Sequence, residues 1–171
     1  SPFLPKIKLA HLDDDGFIIS FVNEKNIFIT GPTDWGTEFG VYEFLEKFVG
    51  IRWLLPGPEG EHVPHHTELI LHPVEIQQQP QFMSRYLGGL KDDWTILWAR
   101  RQRMHDRIKF HHNLYNIFPP KQYITEHPQF FPIIRGKRFF PGLQHLKKNW
   151  QICFSNQDTI PVAVDNIKEY F

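Results

Sequence analysis

The sequence predicts an α/β fold in which short strands alternate with helices. Two patterns carry this prediction: apolar, β-branched runs of strand length, and amphipathic segments with helical spacing that lie between them. The order strand, helix, strand, helix favours parallel βα units. The 14 prolines and 11 glycines are spread over 171 residues, which indicates many short elements joined by turns.

The composition argues against several functional classes of protein. Lys and Arg total 19 and Asp and Glu total 19, and this zero net charge argues against a nucleic-acid partner. Hydrophobic residues make up 41%, which is ordinary for a globular chain, and no apolar run reaches the length of a membrane span. The single Cys153 excludes an internal disulfide. The loop Gly31–Gly36 lacks the Gly-Lys-Ser/Thr ending of a phosphate loop, so no cofactor is expected.

The first third of the chain predicts a hairpin followed by a helix. Phe17–Val22 and Ile27–Thr30 are apolar runs separated by four polar residues, as in a hairpin. Thr33 or Asp34 is then a suitable N-cap for a helix over Thr37–Val49, with Gly50 as its stop. Its apolar residues recur at helical spacing and are expected to pack on the sheet: Val41, Phe44, Leu45 and Phe48.

A polar segment at 77–80 is predicted to separate two domains. Before it, Ile51–Leu55 and Thr67–Leu71 are apolar enough to form strands. The segment itself, Gln77–Pro80, is polar, unpatterned and closed by proline, as linkers often are. Residues 1–76 are therefore expected to form a small α/β domain and residues 81–171 a second domain.

The second domain is predicted to continue the alternation of strands and helices. The apolar pattern and the prolines at helix starts place strands at Phe82–Tyr86, Ile108–Leu114 and Gln151–Phe154, helices at Asp92–His105, Lys121–Glu126 and Thr159–Phe171, and a hairpin over Ile133–Phe140.

Several co-linear segments resemble a known bacterial family. They are Gly36–Glu46, Gly50–Leu54 with Pro56-Gly57, Pro80–Arg85, Pro119–Phe131 and Ile152–Asn156. Together they resemble the bacterial domain of unknown function 4838 with its preceding N-terminal domain. That group is similar to the family 67 α-glucuronidases and, more remotely, to the family 20 hexosaminidases. The resemblance extends over roughly Gly16 to Phe171.

The resemblance implies a layout for the whole chain. A small N-terminal mixed sheet with a packed helix, like the second domain of hexosaminidases, precedes the first βα units of a (β/α)8 barrel that carries the active site. A barrel needs about 250 residues, so the chain is expected to stop inside it. The partners implied are a carbohydrate ligand and the remainder of the same protein beyond Phe171. The location stays open, with an extracytoplasmic one favoured by the resemblance.

The acids of the second domain form no convincing catalytic pair. Glycoside hydrolysis requires two carboxyl groups that face each other across the scissile bond. In the relatives these lie on later strands, and no catalytic residue is assigned here. We therefore expect the N-terminal portion of a carbohydrate-active, glycoside-hydrolase-like protein, and whether it is an enzyme stays open. The alternative is a non-catalytic carbohydrate-binding or structural module on the same fold.

Five residues at predicted strand ends are candidates for substrate binding. Arg85 closes the first barrel strand and matches an arginine with which hexosaminidase relatives bind sugar hydroxyls; a structural ion pair is its alternative. His111, His112 and Asn113 lie near the end of the second strand, where at most one histidine can face the barrel mouth. Asn156 follows the third strand and could instead cap a helix. Arg85 and one of the histidines are expected to line one pocket.

Other conspicuous residues are given structural interpretations. The histidines of the loop 62–66 have no Cys or regularly spaced carboxylate beside them, so no metal site is assigned. The arginine cluster could form an anion site but is interpreted as a solvated helix face. Cys153 is interpreted as a buried strand residue, and Trp150 is the tryptophan that we expect to be an exposed platform. The cluster comprises Arg100, Arg101, Arg103 and Arg107.

Overall fold

A computed structural model describes residues 8–23, 25–108, 112–142 and 150–170. The chain divides into two compact units, residues 1–108 and 109–171. Residues 81–108 thus pack within the first unit, although the sequence assigns them to the second domain. A domain boundary at 77–80 stays a prediction. In the described part of the chain, no helix combines the length and the apolar character needed to cross a membrane.

The first unit is a small antiparallel sheet with two helices. Its strands and helices are β1 (Phe17–Asn23), β2 (Asn26–Thr30), β3 (Arg52–Trp53), β4 (Glu61–His62), β5 (Ile76–Gln78), α1 (Asp34–Phe44) and α2 (Asp93–Arg101). The main sheet has the order β2-β1-β5, and β3 pairs with β4 in a separate ribbon. The predicted hairpin is confirmed, with Ile19 opposite Ile29.

The predicted helix is confirmed, but it presents a different face to the sheet. Thr33 Oγ1 caps α1 by accepting the Gly36 N–H at 3.3 Å, and a π-helical turn over Leu45–Val49 extends it to Gly50. The buried residues are Gly36, Phe39 and Gly40, whereas Val41 is 39% exposed. Of the predicted contact residues, Phe44 and Phe48 do pack on the core. Hydrophobic periodicity missed this face because glycine adds no apolar side chain to the pattern.

Three predicted strands of the first unit need correction. Thr67–Leu71 forms no strand, and Ile76–Gln78 pairs with β1 instead, so two residues of the predicted linker belong to the sheet. Of the strand predicted over Ile51–Leu55, only Arg52–Trp53 (β3) is a strand in the structure. The segment Phe82–Tyr86 bends and makes one bridge, in which the Arg85 N–H donates to the His105 carbonyl at 2.9 Å.

Helix α2 begins at a capping box. The Asp92 carboxylate accepts the Thr95 N–H at 2.9 Å, and the Thr95 hydroxyl lies against the Asp92 backbone. The helix confirms the prediction up to Arg101 and ends before His105. Its Trp98 indole donates a hydrogen bond of 2.9 Å to the Trp53 carbonyl, which fixes α2 against β3.

The second unit is built around aromatic residues. Its elements are α3 (Leu114–Ile117), α4 (Pro120–Glu126), a 3-10 turn (Pro128–Phe130), β6 (Ile133–Ile134), β7 (Lys137–Arg138) and α5 (Thr159–Tyr170). These confirm the predicted hairpin and the two predicted helices. The hairpin turns through Arg135 at φ 52° and Gly136 at φ 76°, the left-handed conformations that a tight hairpin turn requires. The core comprises Phe118, Tyr123, Phe130, Phe131, Trp150 and Ile152.

The parallel βα order is not seen among the described residues, whose strand pairs are all antiparallel. The predicted strand Gln151–Phe154 is irregular, although the Cys153 N–H donates to the Phe130 carbonyl at 2.7 Å. The predicted strand Ile108–Leu114 falls partly on residues outside the described ones, and its last residue opens α3. The chain is therefore a mixed α/β protein with small antiparallel sheets.

Candidate functional site

A buried carboxylate organises the first unit. The Asp15 side chain is 0% exposed and lies between two basic side chains. Arg85 Nη2 donates to Asp15 Oδ2 at 2.8 Å, and His105 Nδ1 lies 2.9 Å from Asp15 Oδ1. A buried carboxylate is stable only when it is paired and hydrogen-bonded. Arg85 and His105 together provide this pairing for Asp15. The sequence contains no motif that singles out Asp15, since it ends a run of three aspartates before β1.

Arg85 also donates hydrogen bonds to two backbone carbonyls. Its Nε donates to the Arg103 carbonyl at 2.7 Å and its Nη1 to the Phe82 carbonyl at 2.9 Å. The ion pair that the sequence left open as an alternative is thus present. Arg85 joins the segment before α2, the segment after it and the carboxylate ahead of β1. Its contact with a sugar stays a prediction.

The arginine cluster is not a solvated face, as the sequence had suggested. Each member pairs with a carboxylate that lies far away in the sequence, because α2 packs beside α1 and the loops at the sheet edge. The pairs are Arg100 with Glu38, Arg101 with Glu61, Arg103 with Glu43 and Glu46, and Arg107 with Asp13 and Asp14. Ion pairs therefore connect α2 and the segment after it to sequence-distant parts of the unit.

The Asp13–Arg107 pair shifts the pKa values of both of its members. Desolvation alone would raise the pKa of Asp13, but the Asp15 backbone N–H and the Arg107 guanidinium outweigh it and lower that pKa below its usual value. The hydrogen bond to Asp13, with the nearby carboxylate charges, raises the pKa of Arg107 in spite of desolvation. Arg107 Nη1 lies 2.7 Å from Asp13 Oδ1.

A small cavity adjoins this cluster. Its volume is about 200 Å³, and Trp35, Arg85, Arg100 and His105 are among the residues that line it. The Trp35 ring stacks on the His105 ring with centroids 3.8 Å apart, and the Arg100 guanidinium lies 4.8 Å from the Trp35 centroid. Trp35 was not predicted as a site residue.

A larger cavity of about 770 Å³ lies in the second unit. It brings together two of the predicted residues, His112 and Asn113. Its wall combines aromatic, amide and imidazole side chains, and no carboxylate occurs among its described lining residues. The residues that carry these groups are His112, Asn113, Tyr115, Phe139, Trp150, Gln151 and Phe154.

Two polar residues of the cavity wall, His112 and Asn113, have distinctive local environments. His112 has a left-handed backbone at φ 53°, which is uncommon for a residue other than glycine. Asn113 is 8% exposed, and its Oδ1 accepts the Asn116 Nδ2 at 2.6 Å. Trp150 was expected to be an exposed platform, but it is only 9% exposed and packs on Phe131. It therefore forms a buried part of the cavity wall, and Phe154, at 71%, is the most exposed aromatic of the described lining.

The remaining predicted residues have separate positions. Asn156 Oδ1 accepts the Asp158 N–H at 3.0 Å, and the Asn156 carbonyl accepts the Thr159 hydroxyl at 2.6 Å, so Asn156 shapes the turn that starts α5. Its role toward a sugar stays a prediction. His111 lies outside the described residues.

His66, in the histidine loop, and Cys153 each have a defined environment. His66 Nε2 lies 2.8 Å from the Val49 carbonyl, and among the residues described no group of three or more His, Cys, Asp or Glu is placed to hold a metal ion. Cys153 is only partly buried, which corrects the expectation of a buried strand residue. The Ser155 hydroxyl, nearby backbone N–H groups and Arg138 together lower the pKa of the thiol.

Comparison with known proteins assigns the chain to a family. No curated protein and no solved structure matches it significantly. A family described as "Domain of unknown function (DUF4838)" matches residues 55–171, which is more than half of the chain. That range includes the helix α2, the arginine cluster and the whole cavity of the second unit. The chain therefore belongs to this family of unknown function.

Proposed function

We propose that the chain is the N-terminal portion of a carbohydrate-active, glycoside-hydrolase-like protein, and that by itself it binds saccharide without hydrolysing it. The observation that carries the proposal is the 770 Å³ cavity, whose described wall holds aromatic, amide and imidazole groups but no carboxylate. A (β/α)8 barrel and kinship with α-glucuronidases and hexosaminidases are parts of the same proposal, and they rest on the sequence resemblance.

The wall chemistry suits a sugar. A sugar ring has apolar C–H faces that pack on aromatic side chains, and Phe154 and Trp150 offer such surfaces. Its hydroxyls need both donors and acceptors, which the amides of Asn113 and Gln151 and the His112 imidazole supply. The volume lies within the range of about 300–1,000 Å³ that is usual for ligand pockets.

The same wall argues against hydrolysis by this chain alone. Both inverting and retaining glycosidases require two carboxyl groups placed across the scissile bond. The described lining contains neither an aspartate nor a glutamate. Binding without turnover is the activity that this set of side chains supports.

A structural module is the second candidate, and the first unit favours it. Each arginine of the cluster, and Arg85, is paired with a carboxylate. Such pairing holds the helices and loops together and leaves fewer N–H groups of each guanidinium to bind a ligand. A saccharide titration separates the two candidates.

The test is a titration of the purified chain with glucose, N-acetylglucosamine, glucuronate and cellobiose, followed by tryptophan fluorescence and by amide chemical shifts. We expect saturable binding of at least one sugar, with shifts at residues around the cavity. Phe154→Ala should weaken that binding by a factor of about 2 to 13, because a stacked aromatic contributes about 0.5–1.5 kcal/mol. No release of nitrophenol from aryl glycosides is expected.

The matched control is Phe82→Ala. Phe82 is 72% exposed, nearly the same as Phe154 at 71%, but it does not line the cavity. Binding should be unchanged in this variant. Absence of saturable binding to all four sugars, or equal weakening by the two variants, would reject the proposed site and leave the structural module.

A further inference from the structure

The cavity of the first unit has a composition unlike that of the saccharide cavity. Its volume is about 200 Å³, and apolar side chains that range from the buried Ala99 to the exposed Ile96 form most of its wall. These are supplied by Leu87, Leu90, Ile96, Ala99 and Met104. A wall of this kind disfavours a fully hydroxylated ligand. Its hydroxyls would lose their hydrogen bonds to water and gain none from the apolar side chains, which costs binding free energy. The ligand that fits has an apolar body of about one ring.

The charged groups at this cavity are arranged asymmetrically. Arg85, Arg100 and His105 line it, whereas the carboxylates that pair with them, Asp15 and Glu38, do not. The basic side chains therefore belong to the described wall of the cavity, and the carboxylates that pair with them do not. Asp106 is the one carboxylate among the described lining residues, and it is exposed. The inner wall thus offers N–H donors to an incoming group.

Both arginines retain donors after their internal bonds are counted. A guanidinium has five N–H groups. Toward the described residues, Arg85 donates through Nε, Nη1 and Nη2, one bond from each atom, which leaves one N–H on each terminal nitrogen. Arg100 donates to Glu38 through Nη2, and its Nε is buried without an acceptor. A second acceptor at this place is electrostatically favourable.

Trp35 holds the donors in position before any ligand arrives. Its ring stacks on His105 at 3.8 Å and carries the Arg100 guanidinium at 4.8 Å. The His105 ring is fixed a second time by Asp15. Such preorganisation lowers the entropy cost of binding, because the side chains need not be ordered by the ligand.

We propose that this cavity binds a small organic carboxylate with an apolar body of about one ring. The carboxylate accepts hydrogen bonds from the remaining N–H groups of Arg85 and Arg100, and the ring packs among the apolar side chains of α2 and of the loop before it. This site is separate from the saccharide cavity and does not depend on the proposed function.

The experiment compares benzoate with benzamide, which has nearly the same shape but no charge. Each is titrated into the purified chain, and binding is followed by tryptophan fluorescence and amide chemical shifts. We expect benzoate to bind about tenfold more tightly than benzamide, because hydrogen bonds to a charged acceptor are about twice as strong as neutral ones. The shifts should fall on α2 and on residues 85–90.

Two variants of α2 form a matched pair. Arg100 and Arg101 each pair with a glutamate and each lie over a tryptophan ring, but Arg101 does not line the cavity. Arg100→Gln should remove the tenfold preference for benzoate, and Arg101→Gln should preserve it. Thermal unfolding of both variants shows whether they remain folded. Ile96→Trp places a larger side chain in the cavity from an exposed position and should abolish binding of both compounds.

Three results would overturn the proposal. They are equal affinity for benzoate and benzamide in the wild-type chain, benzoate shifts confined to residues outside the cavity, and an equal loss of preference in the two arginine variants. Because the first result needs no variant, the proposal can be rejected even if Arg100→Gln does not fold.

Discussion

Tyr42 shows how a single side chain on α1 acquires its chemistry from its surroundings. Its hydroxyl donates a hydrogen bond of 2.5 Å to Glu38 Oε1, one helical turn earlier. Burial, then the hydrogen bond and the charge of Glu38, raise the pKa of Tyr42 to about 12. The same glutamate also pairs with Arg100, so one carboxylate fixes side chains of two helices.

The raised pKa of Tyr42 predicts alkaline instability with a defined sign. The folded chain holds the phenol proton more tightly than the unfolded chain, whose tyrosine pKa is near 10.0. The stabilisation is therefore complete below pH 10 and is lost as the pH rises through about 12. Phenolate absorbance should show one late-titrating tyrosine, which Tyr42→Phe removes. A normal titration of all tyrosines in the folded chain would contradict the assignment.

Cys153 is the second residue whose environment changes its chemistry. The Ser155 hydroxyl lies 3.4 Å from its Sγ, and this contact is the largest cause of the lowered pKa of the thiol. The lower pKa increases the fraction of reactive thiolate near neutral pH. The predicted inert, buried cysteine is thus replaced by an accessible one.

This environment predicts the rate of alkylation. Iodoacetamide should modify Cys153 at neutral pH faster than it modifies the same thiol in the Ser155→Ala variant, with a shift of the pH–rate profile toward higher pH in the variant. The Ser84→Ala variant, in the other unit, serves as the control and should leave the profile unchanged. Identical profiles for Ser155→Ala and the wild-type chain would show that the hydroxyl has no role.

At the scale of elements, α1 packs on the sheet through glycine. A Cβ placed on Gly40 would lie 2.7 Å from Ile29 Cγ2 and 3.1 Å from Phe17 Cβ. A Cβ placed on Gly36 would lie closer still to the backbone carbonyl oxygen of Gly16. The helix axis can therefore approach β1 and β2 more closely than side chains would allow, and Phe39, which is 1% exposed, fills the remaining space.

The close contact predicts a large effect of one methyl group. Gly40→Ala should destabilise the chain by about 1–3 kcal/mol, since overpacking outweighs the better helix propensity of alanine. Val41→Ala removes methyl groups from a side chain that is 39% exposed, and should cost about 0.5 kcal/mol or less. Urea unfolding measures both. Increased stability of Gly40→Ala would show that the helix has room to move.

At the scale of the whole molecule, ion pairs join sequence-distant parts of the first unit. Residues 13–15 pair with Arg85, His105 and Arg107, and α1 pairs with α2. Exposed pairs contribute little singly, and several that share one contact region act together. The stability of this unit should therefore respond to pH and to salt.

The lowered pKa of Asp13 predicts the direction of the response to acid. Its stabilising contribution is present above the unfolded pKa near 3.8 and is lost as the pH falls through the lower folded value. Thermal unfolding between neutral pH and pH 3 should therefore show a falling melting temperature, with a flatter profile for Asp13→Asn. Asp158→Asn, in the second unit, removes a carboxylate of equal charge and should keep the wild-type profile. Equal slopes for the two variants would refute the role of Asp13.

The sequence by itself determined the locally encoded elements: the hairpin Phe17–Thr30, the helix that ends at Gly50, the short helix after Pro119, the turn at Arg135-Gly136 and the last helix. Each depends on periodicity, caps, proline or glycine within a few residues, and these signals do not require knowledge of the partner. His112 and Asn113, proposed from the sequence as substrate-binding residues, both line the cavity of the second unit, and their contact with a sugar stays a prediction.

Only the tertiary structure decided the contacts between distant segments. Gln77–Pro80 looks like a polar linker in the sequence, but Gln77 and Gln78 join Ile76 in a strand that pairs with the free edge of β1. Arg85 was proposed for a sugar site from its place in the sequence, and its pairing with Asp15, 70 residues away, appears only in the fold. Trp150 lies beside a polar stretch in sequence, but Phe131 covers it. In each case the outcome depends on which groups the fold brings together. Hydrogen bonding, charge pairing and burial act through space, so no local pattern encodes them.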